Sequence, residues 1–294
     1  MNDLILFTGA TGFLGSNLLR KLIADQRDII VLKRSFSNTC RILDVLDRVK
    51  YYDIDQIKIE SVFSNKIDMV IHCATDYGRE NTDLKSIIDS NLILPLQLLE
   101  LGRKNGLTSF LNTDTILDKR ISDYSLSKSQ FKEWLESRSR DMICVNIALE
   151  HFYGPFDNKS KFVSNIIGNI LNGIPQVALT EGKQKRDFIF IDDVIDAFTL
   201  IIRNVATLRK GFLNYEIGTN QSFAIRELVE LIKRIANNDN TILNFGAIPY
   251  REHEVMESKA DISEIRKLGW EPKTSIEEGL RITIESEKRG IIVR

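Results

Sequence analysis

The sequence predicts an α/β protein, a doubly wound parallel sheet with a smaller α/β lobe interleaved with it. Three observations carry that expectation. Short apolar runs of strand length alternate with helix-length segments through the first half of the chain. Those runs are continuous rather than alternating, which marks strands buried on both faces and hence a parallel sheet covered by helices. A glycine-rich turn, TGATGFLG at residues 8–15, joins the first strand to the first helix.

Taken in order, LILFT at 4–8 is the first strand, and FLGSNLLRKLIA at 13–24 carries helical spacing. Further strands are expected at 29–32, 68–73 (DMVIHC), 108–111 (TSFL) and 143–148 (ICVNIA). Helical patterns over 83–104 and 122–139 separate the later ones, and the whole is a βαβα rhythm. Pro95 falls inside the first of these helices and predicts a kink or a break, because proline has no N–H for the i→i−4 bond. After Tyr153-Gly154-Pro155 the rhythm changes. A helix is expected over 160–172, a strand at 187–191, and a helix capped by Asp192 and running to about Arg203. A strand at 212–217, a helix at 224–236 and the segment LGWEPK at 268–273 follow. The expected division puts residues 1–150, with 188–220 returning, in one domain, and 151–187 with 221–294 in the second lobe.

The length of 294 residues suits two domains or one large α/β unit, at roughly 150 residues per domain. With 40 Lys and Arg against 41 Asp and Glu, the net charge is −1, so there is no polybasic footprint for nucleic acid or an anionic membrane. No apolar stretch approaches the roughly 20 residues needed to cross a bilayer. The N-terminal MNDLILFTGA does not read as a signal peptide, and a cytoplasmic, reduced protein is expected. Cys40, Cys73 and Cys144 form no CxxC, and the last two sit in apolar runs as small core residues. His72, His151 and His253 are scattered without metal-site spacing, so no metal is expected.

The glycine turn follows a strand and opens a helix, the setting in which such a motif binds a dinucleotide. Gly9 permits the tight turn, Gly12 the approach of a pyrophosphate, and Gly15 close packing of helix on sheet. The helix N-terminus offers unpaired N–H groups to the phosphate. At the end of the second strand the chain reads Lys33-Arg34-Ser35, with no carboxylate at that turn. Two cations and a hydroxyl suit the 2′-phosphate of NADP(H) rather than the bare ribose of NAD(H). Asp53, in YYDID, is expected to reach the adenine edge.

In YSLSK, Tyr124 and Lys128 stand four residues apart, so phenol and ammonium share one helical face. A neighbouring cation favours the phenolate and tunes the group for proton transfer. Thr113, in FLNTD, brings a hydroxyl to the carboxyl edge of the sheet, where ligands bind in such folds.

TGATGFLG, IHCAT, Thr113, Tyr124 with Lys128, HFYGPF, RDFIFIDDV and LGWEPK follow one another as in the extended short-chain dehydrogenase/reductases, which the chain resembles over nearly its whole length. That resemblance implies a Rossmann-type fold and cofactor contacts from Gly9, Thr11, Gly12, Phe13, Leu14, Gly15, Lys33, Arg34, Ser35, Asp53, Ile54, Ala74, Tyr124 and Lys128. Within the family, IHCATDYGRE, FLNTDT, LEHFYGP and FGAIPYREHEVM look most similar to ketoreductases that finish deoxysugar nucleotides. The implied roles are Tyr124 as acid/base, Lys128 as the holder of the nicotinamide ribose that lowers the tyrosine pKa, and Thr113 as the holder of the substrate oxygen. Arg186 and Arg251 face the substrate diphosphate, as guanidinium forks do, with a surface salt bridge as the other reading of each; His151 stands near it, where many relatives have asparagine. Tyr77 and Asp114 approach the hexose, with capping or packing as their other reading. The 4,6-dehydratases carry Thr-Asp-Glu where this chain has Thr113-Asp114-Thr115, so the base for dehydration is missing. The expectation is therefore an NADPH-dependent reductase of a nucleotide-diphosphate 4-keto-deoxyhexose, acting in O-antigen-type polysaccharide synthesis. A 4-epimerase, a 4,6-dehydratase and a non-catalytic cofactor sensor are the alternatives. By the same resemblance the helices over 83–104 and 122–139 are expected to pair across a two-fold axis in a homodimer, with internal core as the other reading of their apolar faces.

Overall fold

The computed structural model describes residues 3–79, 83–252 and 254–290; His253 lies outside the described residues. In chain order the elements are β1 (Leu4–Thr8), α1 (Phe13–Ala24), β2 (Asp28–Lys33), β3 (Lys50–Asp53), β4 (Met69–His72), α2 (Leu84–Ile88), α3 (Leu94–Lys104), β5 (Ser109–Thr115), α4 (Asp123–Ser137) and β6 (Ile143–Leu149). Then come β7 (His151–Tyr153), α5 (Phe162–Leu171), β8 (Gln176–Leu179), β9 (Lys185–Arg186), β10 (Phe188–Phe190), α6 (Ile191–Asn204) and β11 (Gly211–Ile217). The chain closes with β12 (Phe223–Ala224), α7 (Ile225–Ala236), β13 (Ile242–Phe245), α8 (Ser263–Arg266) and α9 (Ile276–Arg289).

The chain forms two compact units, one from the residues up to Leu149 with Ala197–Tyr215, the other from Glu150–Asp196 with the chain from Glu216 onward. The returning segment is shorter than the expected 188–220. Phe188–Phe190 pairs in parallel with His151–Tyr153 inside the second unit, and Asp187 is buried there, accepting N–H bonds from Thr219, Asn220 and Ala260.

The first unit is built on a seven-stranded sheet in the order β11-β6-β5-β4-β1-β2-β3. β3 to β6 pair with their neighbours in parallel throughout. The strand order reverses between β1 and β4, so the β1–α1 turn opens at the switch point where α/β sheets bind ligands. Leu6, Ile30, Val70, Phe110 and Cys144 line one face of the sheet, and Leu98, Leu99, Phe131 and Leu135 of α3 and α4 pack onto it. Burying such a side chain stabilises the fold by roughly 1.5–3 kcal/mol before chain entropy is charged against it. Cys144 is buried as expected, and burial pushes its thiol up to about 12.

The predicted helix over 83–104 is divided. α2 ends at Ile88, a π-helical turn covers Asp89–Ile93, and α3 starts at Leu94 with Pro95 in its first turn. Pro95 has no N–H to give the carbonyl of Asn91, four residues earlier, and the chain answers by widening one turn. β5 runs on to Thr115, well past the expected 111. Asp192 does not cap α6, which begins at Ile191; Asp192 and Asp193 lie in its first turn instead, where acids suit the helix dipole. Asp193 accepts N–H bonds from Lys273 and Thr274, and Trp270 donates its indole N–H to the Asp193 carbonyl. That fixes the role of LGWEPK as an anchor within the second unit. The same unit holds the two-stranded sheets β13-β8 and β12-β9, which sequence periodicity does not reveal.

Candidate active site

The β1–α1 turn is closed by the Gly12 N–H donating to the Gly9 carbonyl. Gly9 has φ +77°, and a Cβ there would come within 2.3 Å of the Cys73 carbonyl carbon; one on Gly15 would lie 2.0 Å from the Gly9 oxygen. Backbone packing alone therefore requires both glycines. A Cβ on exposed Gly12 would meet only the Gly9 oxygen, at 3.4 Å, an ordinary contact. Its missing side chain leaves a cradle over the first turn of α1, whose N–H groups have no intrahelical acceptor. Phe13 and Leu14 are buried, so their main chain is what they offer a ligand; Thr11 is half-buried.

Tyr124 and Lys128 share a face of α4, which starts with a capping box between Ser122 and Ser125. Lys128 is 1 % exposed, and its Nζ has no hydrogen-bond partner among the described residues. A buried ammonium with no acceptor is expensive, and burial lowers its pKa while Asp114 and Cys73 raise it. An acceptor such as a ribose hydroxyl would satisfy it. The cradle and this orphaned ammonium both fit a nicotinamide dinucleotide.

Burial holds the Tyr124 phenol well above the usual tyrosine range, with Tyr77 and Asp114 pushing the same way; a hydrogen bond from Thr115 and the charge of Arg79 act against them. This differs from the expected balance, in which the Lys128 ammonium sets the phenol's pKa. A phenol kept protonated is a proton donor. Tyr77 packs on Tyr124 with ring centroids 5.1 Å apart, and Arg79 lies over Tyr77 at 5.4 Å. The Thr113 hydroxyl donates to the His72 carbonyl at 3.0 Å. Cys73 is half-buried and its thiol is pushed up to about 12, so it is no thiolate nucleophile.

Strand register lines up Thr8, His72, Asn112 and Asn146 side by side across β1, β4, β5 and β6. His72 Nδ1 bonds Thr8 Oγ1 at 2.8 Å, and Ala74 N–H also reaches that oxygen at 3.4 Å. Asn112 donates to Asn146, and Asn146 to both Asp114 (2.9 Å) and Asn214 (2.8 Å). Burial, with the charge of Lys128, keeps His72 well below the usual histidine range and so neutral. Asp114, 7 % exposed, is thus held by Asn146 and by the Thr115 N–H.

Asn91, in the π-helical turn, is buried. Its side chain accepts from Asp76 N–H and donates to the Asp76 carbonyl and to Ser127 Oγ, which itself bonds the Tyr124 carbonyl. One amide so ties the Tyr77 loop to the Tyr124 helix. Sequence reasoning missed Asn91 and Thr115; the signal was an isolated amide in an apolar helical pattern four residues before a proline.

At the β2–β3 edge strand pairing adds partners that the linear reading lacks. Lys33 pairs in register with Asp53, and its ammonium forms an ion pair with one oxygen of that carboxylate. Asp55 accepts both the N–H and the hydroxyl of Ser35. Two carboxylates thus stand at a turn where linear reading finds none. Arg34 lies over the Phe36 ring at 4.8 Å, and Ile54 N–H bonds the Lys33 carbonyl. In the second unit, Arg186 pairs with Glu254, His151 Nδ1 bonds the buried Glu150 carboxylate at 2.8 Å, and Arg251 is exposed.

The family model described as NAD dependent epimerase/dehydratase family matches residues 5–218. The chain belongs to that family. It is 34% identical to CDP-abequose synthase of Salmonella muenchen, across 96% of this chain and 97% of that one. The Salmonella typhimurium CDP-abequose synthase is 31% identical, across 95% and 97%. Among solved structures, UDP-glucose 4-epimerase of Thermotoga maritima with UDP-glucose superposes with a TM-score of 0.84 at 26% identity, covering 98% of this chain and 99% of that one. As an epimerase/dehydratase-family member the chain keeps the Tyr124/Lys128 pair but lacks an acid at 115.

A reaction that takes its proton from the Tyr124 phenol keeps its rate below the phenol's pKa and loses it as pH rises through it. The Asp114 anion raises that pKa, and its neutralisation lowers it. Asp114→Asn is expected to move the alkaline fall of kcat to lower pH; an unmoved limb, read from rate against pH, contradicts the coupling.

Proposed function

We propose that this protein is an NADPH-dependent reductase that converts a nucleotide-diphosphate 4-keto-deoxyhexose to the 4-hydroxy sugar, in deoxysugar synthesis for an O-antigen-type polysaccharide. The observation that carries the reading is a phenol held protonated by burial beside an unpartnered buried ammonium, in a chain similar over nearly its full length to CDP-abequose synthase. The first unit binds the dinucleotide and the second the nucleotide sugar.

The bound nicotinamide supplies a hydride to the keto carbon. Tyr124 donates its phenolic proton to the oxygen as negative charge develops there. Thr113 turns its hydroxyl from the His72 carbonyl to the same oxygen, so two donors are aimed at the forming alkoxide. Lys128 gives its N–H groups to the nicotinamide ribose and keeps a positive charge under the reacting centre. Tyr77 forms a wall against the hexose, and Asp114 accepts a sugar hydroxyl while anchored by Asn146. Arg186, Arg251 and His151 hold the diphosphate; Arg186 spends one N–H on Glu254 and one on the Lys185 carbonyl, and the others remain for phosphate.

Lys33 and Arg34 support NADP(H) over NAD(H). A 4-epimerase that keeps NAD bound is the second reading, favoured by the acids at the β2–β3 edge, and it predicts dinucleotide absorbance in the purified protein. Dehydration lacks its base, since Thr115 has no carboxylate. The proposed location is the cytoplasm: Cys40, Cys73 and Cys144 form no disulfide, and no helix among the described residues is long and apolar enough to cross a membrane. A homodimer through α2–α4 is supported by exposed Leu84, Ile93, Leu126 and Trp134. Sedimentation velocity tests it: a species of twice the chain mass is expected, and a monomer alone at micromolar concentration removes the dimer.

The reaction itself is tested by NADPH oxidation against CDP-, dTDP-, GDP- and UDP-linked 4-keto sugars, with NMR of each product. One member is expected to be reduced at C4, and Tyr124→Phe is expected to cut that turnover at least a hundredfold in a folded protein. No consumption with any member sinks the reductase reading, and near-normal turnover in the variant removes the acid/base role.

A further inference from the structure

Asp55 occupies an anion site. One carboxylate oxygen accepts the Ser35 main-chain N–H at 2.7 Å, and the other accepts the Ser35 hydroxyl. A backbone N–H and a hydroxyl converging on one point, on the residue that follows an arginine in the chain, are donors that a phosphate monoester takes, and here an acid of the chain itself takes them. The neighbouring cation is spent too, because Lys33 is ion-paired with Asp53 and only 9 % exposed. Across Lys33, Arg34, Asp53 and Asp55 the formal charges cancel, where the linear run Lys33-Arg34-Ser35 alone reads as doubly positive.

We infer that Asp55 is the residue that sets the choice between the two nicotinamide dinucleotides, by competing with the 2′-phosphate for the Ser35 donors. The inference rests on the dinucleotide reading above and deepens it. Asp55 is exposed, so its carboxylate can turn away into water without leaving a buried charge. When it stays, it can accept a ribose 2′-hydroxyl, which has a proton to give. A 2′-phosphate has none at neutral pH and repels it, so the phosphate binds only when Asp55 withdraws and leaves Ser35 and Arg34 to hold it. The wild-type protein therefore accepts both cofactors, and its preference for NADPH is smaller than two adjacent cations would give. Asp53 plays a different part: register pairs it with Lys33 from the adjacent strand, and removing it frees a cation without opening the Ser35 donors.

The test is binding rather than turnover. Fluorescence or calorimetric titration of the wild-type protein with NADPH, NADH and 2′,5′-ADP is compared with Asp55→Asn and Asp55→Ala. Both variants are expected to bind NADPH and 2′,5′-ADP about tenfold more tightly and NADH no more tightly than wild type, while Asp55→Glu stays close to wild type. The wild-type tightening with NADPH should also grow as ionic strength falls by less than in the variants, since its site carries one more negative charge. Variants that leave the ratio of NADPH to NADH affinity within twofold of wild type overturn the inference while the dinucleotide reading stands. A wild-type protein that binds neither dinucleotide overturns that reading, and the inference with it.

Discussion

The site is organised around a charge that no described residue satisfies. Lys128 is carried into the interior on α4 by the same helical face that packs Phe131 and Leu135 against the sheet, and its ammonium ends there without an acceptor among the described residues. Taking an ammonium out of water costs several kcal/mol even after relaxation. Asp114 eases this at a distance through its charge, without bonding the nitrogen. A ligand with oxygens to offer would satisfy it.

The surroundings repeat that arrangement. Parallel register sets Thr8, His72, Asn112 and Asn146 in one row, so each strand delivers a polar side chain to a neighbour rather than to water. Two atoms in the row, His72 Nε2 and Asn112 Oδ1, have no partner among the described residues, and they stand on residues paired in register. The row fixes Asp114, and burial, with Tyr77 and Asp114 pushing the same way, holds the Tyr124 phenol above its usual range. Asn91 does the equivalent work from the other side, tying the Tyr77 loop to α4 through one amide. Rigid placement of this kind is what a proton donor aimed at a developing oxyanion requires.

Much of the fold was legible in the sequence because its signals are local. The bounds of β1 and α1, the glycine turn, and the i,i+4 pairing of Tyr124 with Lys128 follow from spacing alone. What was not legible depends on neighbours distant in the chain. Lys33-Arg34-Ser35 looks like an uncompensated basic turn until strand pairing brings Asp53 and Asp55 across from β3. For Arg186 a salt bridge is one of two readings, and only the fold supplies its partner, Glu254, 68 residues later. The tyrosine's protonation was read from its nearest cation, whereas desolvation by the whole pocket dominates it. The break at Pro95 was visible; the asparagine that the widened turn presents was not.

The central claim, that Lys128 is kept buried and unsatisfied for a dinucleotide, is tested most directly by thermal unfolding of wild type and Lys128→Met with and without NADPH. Ligand at a hundredfold excess over its Kd stabilises by about 2.7 kcal/mol. The account predicts that, without ligand, the methionine variant melts at or above the wild-type temperature, and that it loses most of the rise produced by NADPH. A variant that melts several degrees lower without ligand, yet keeps the full NADPH-induced rise, would contradict it.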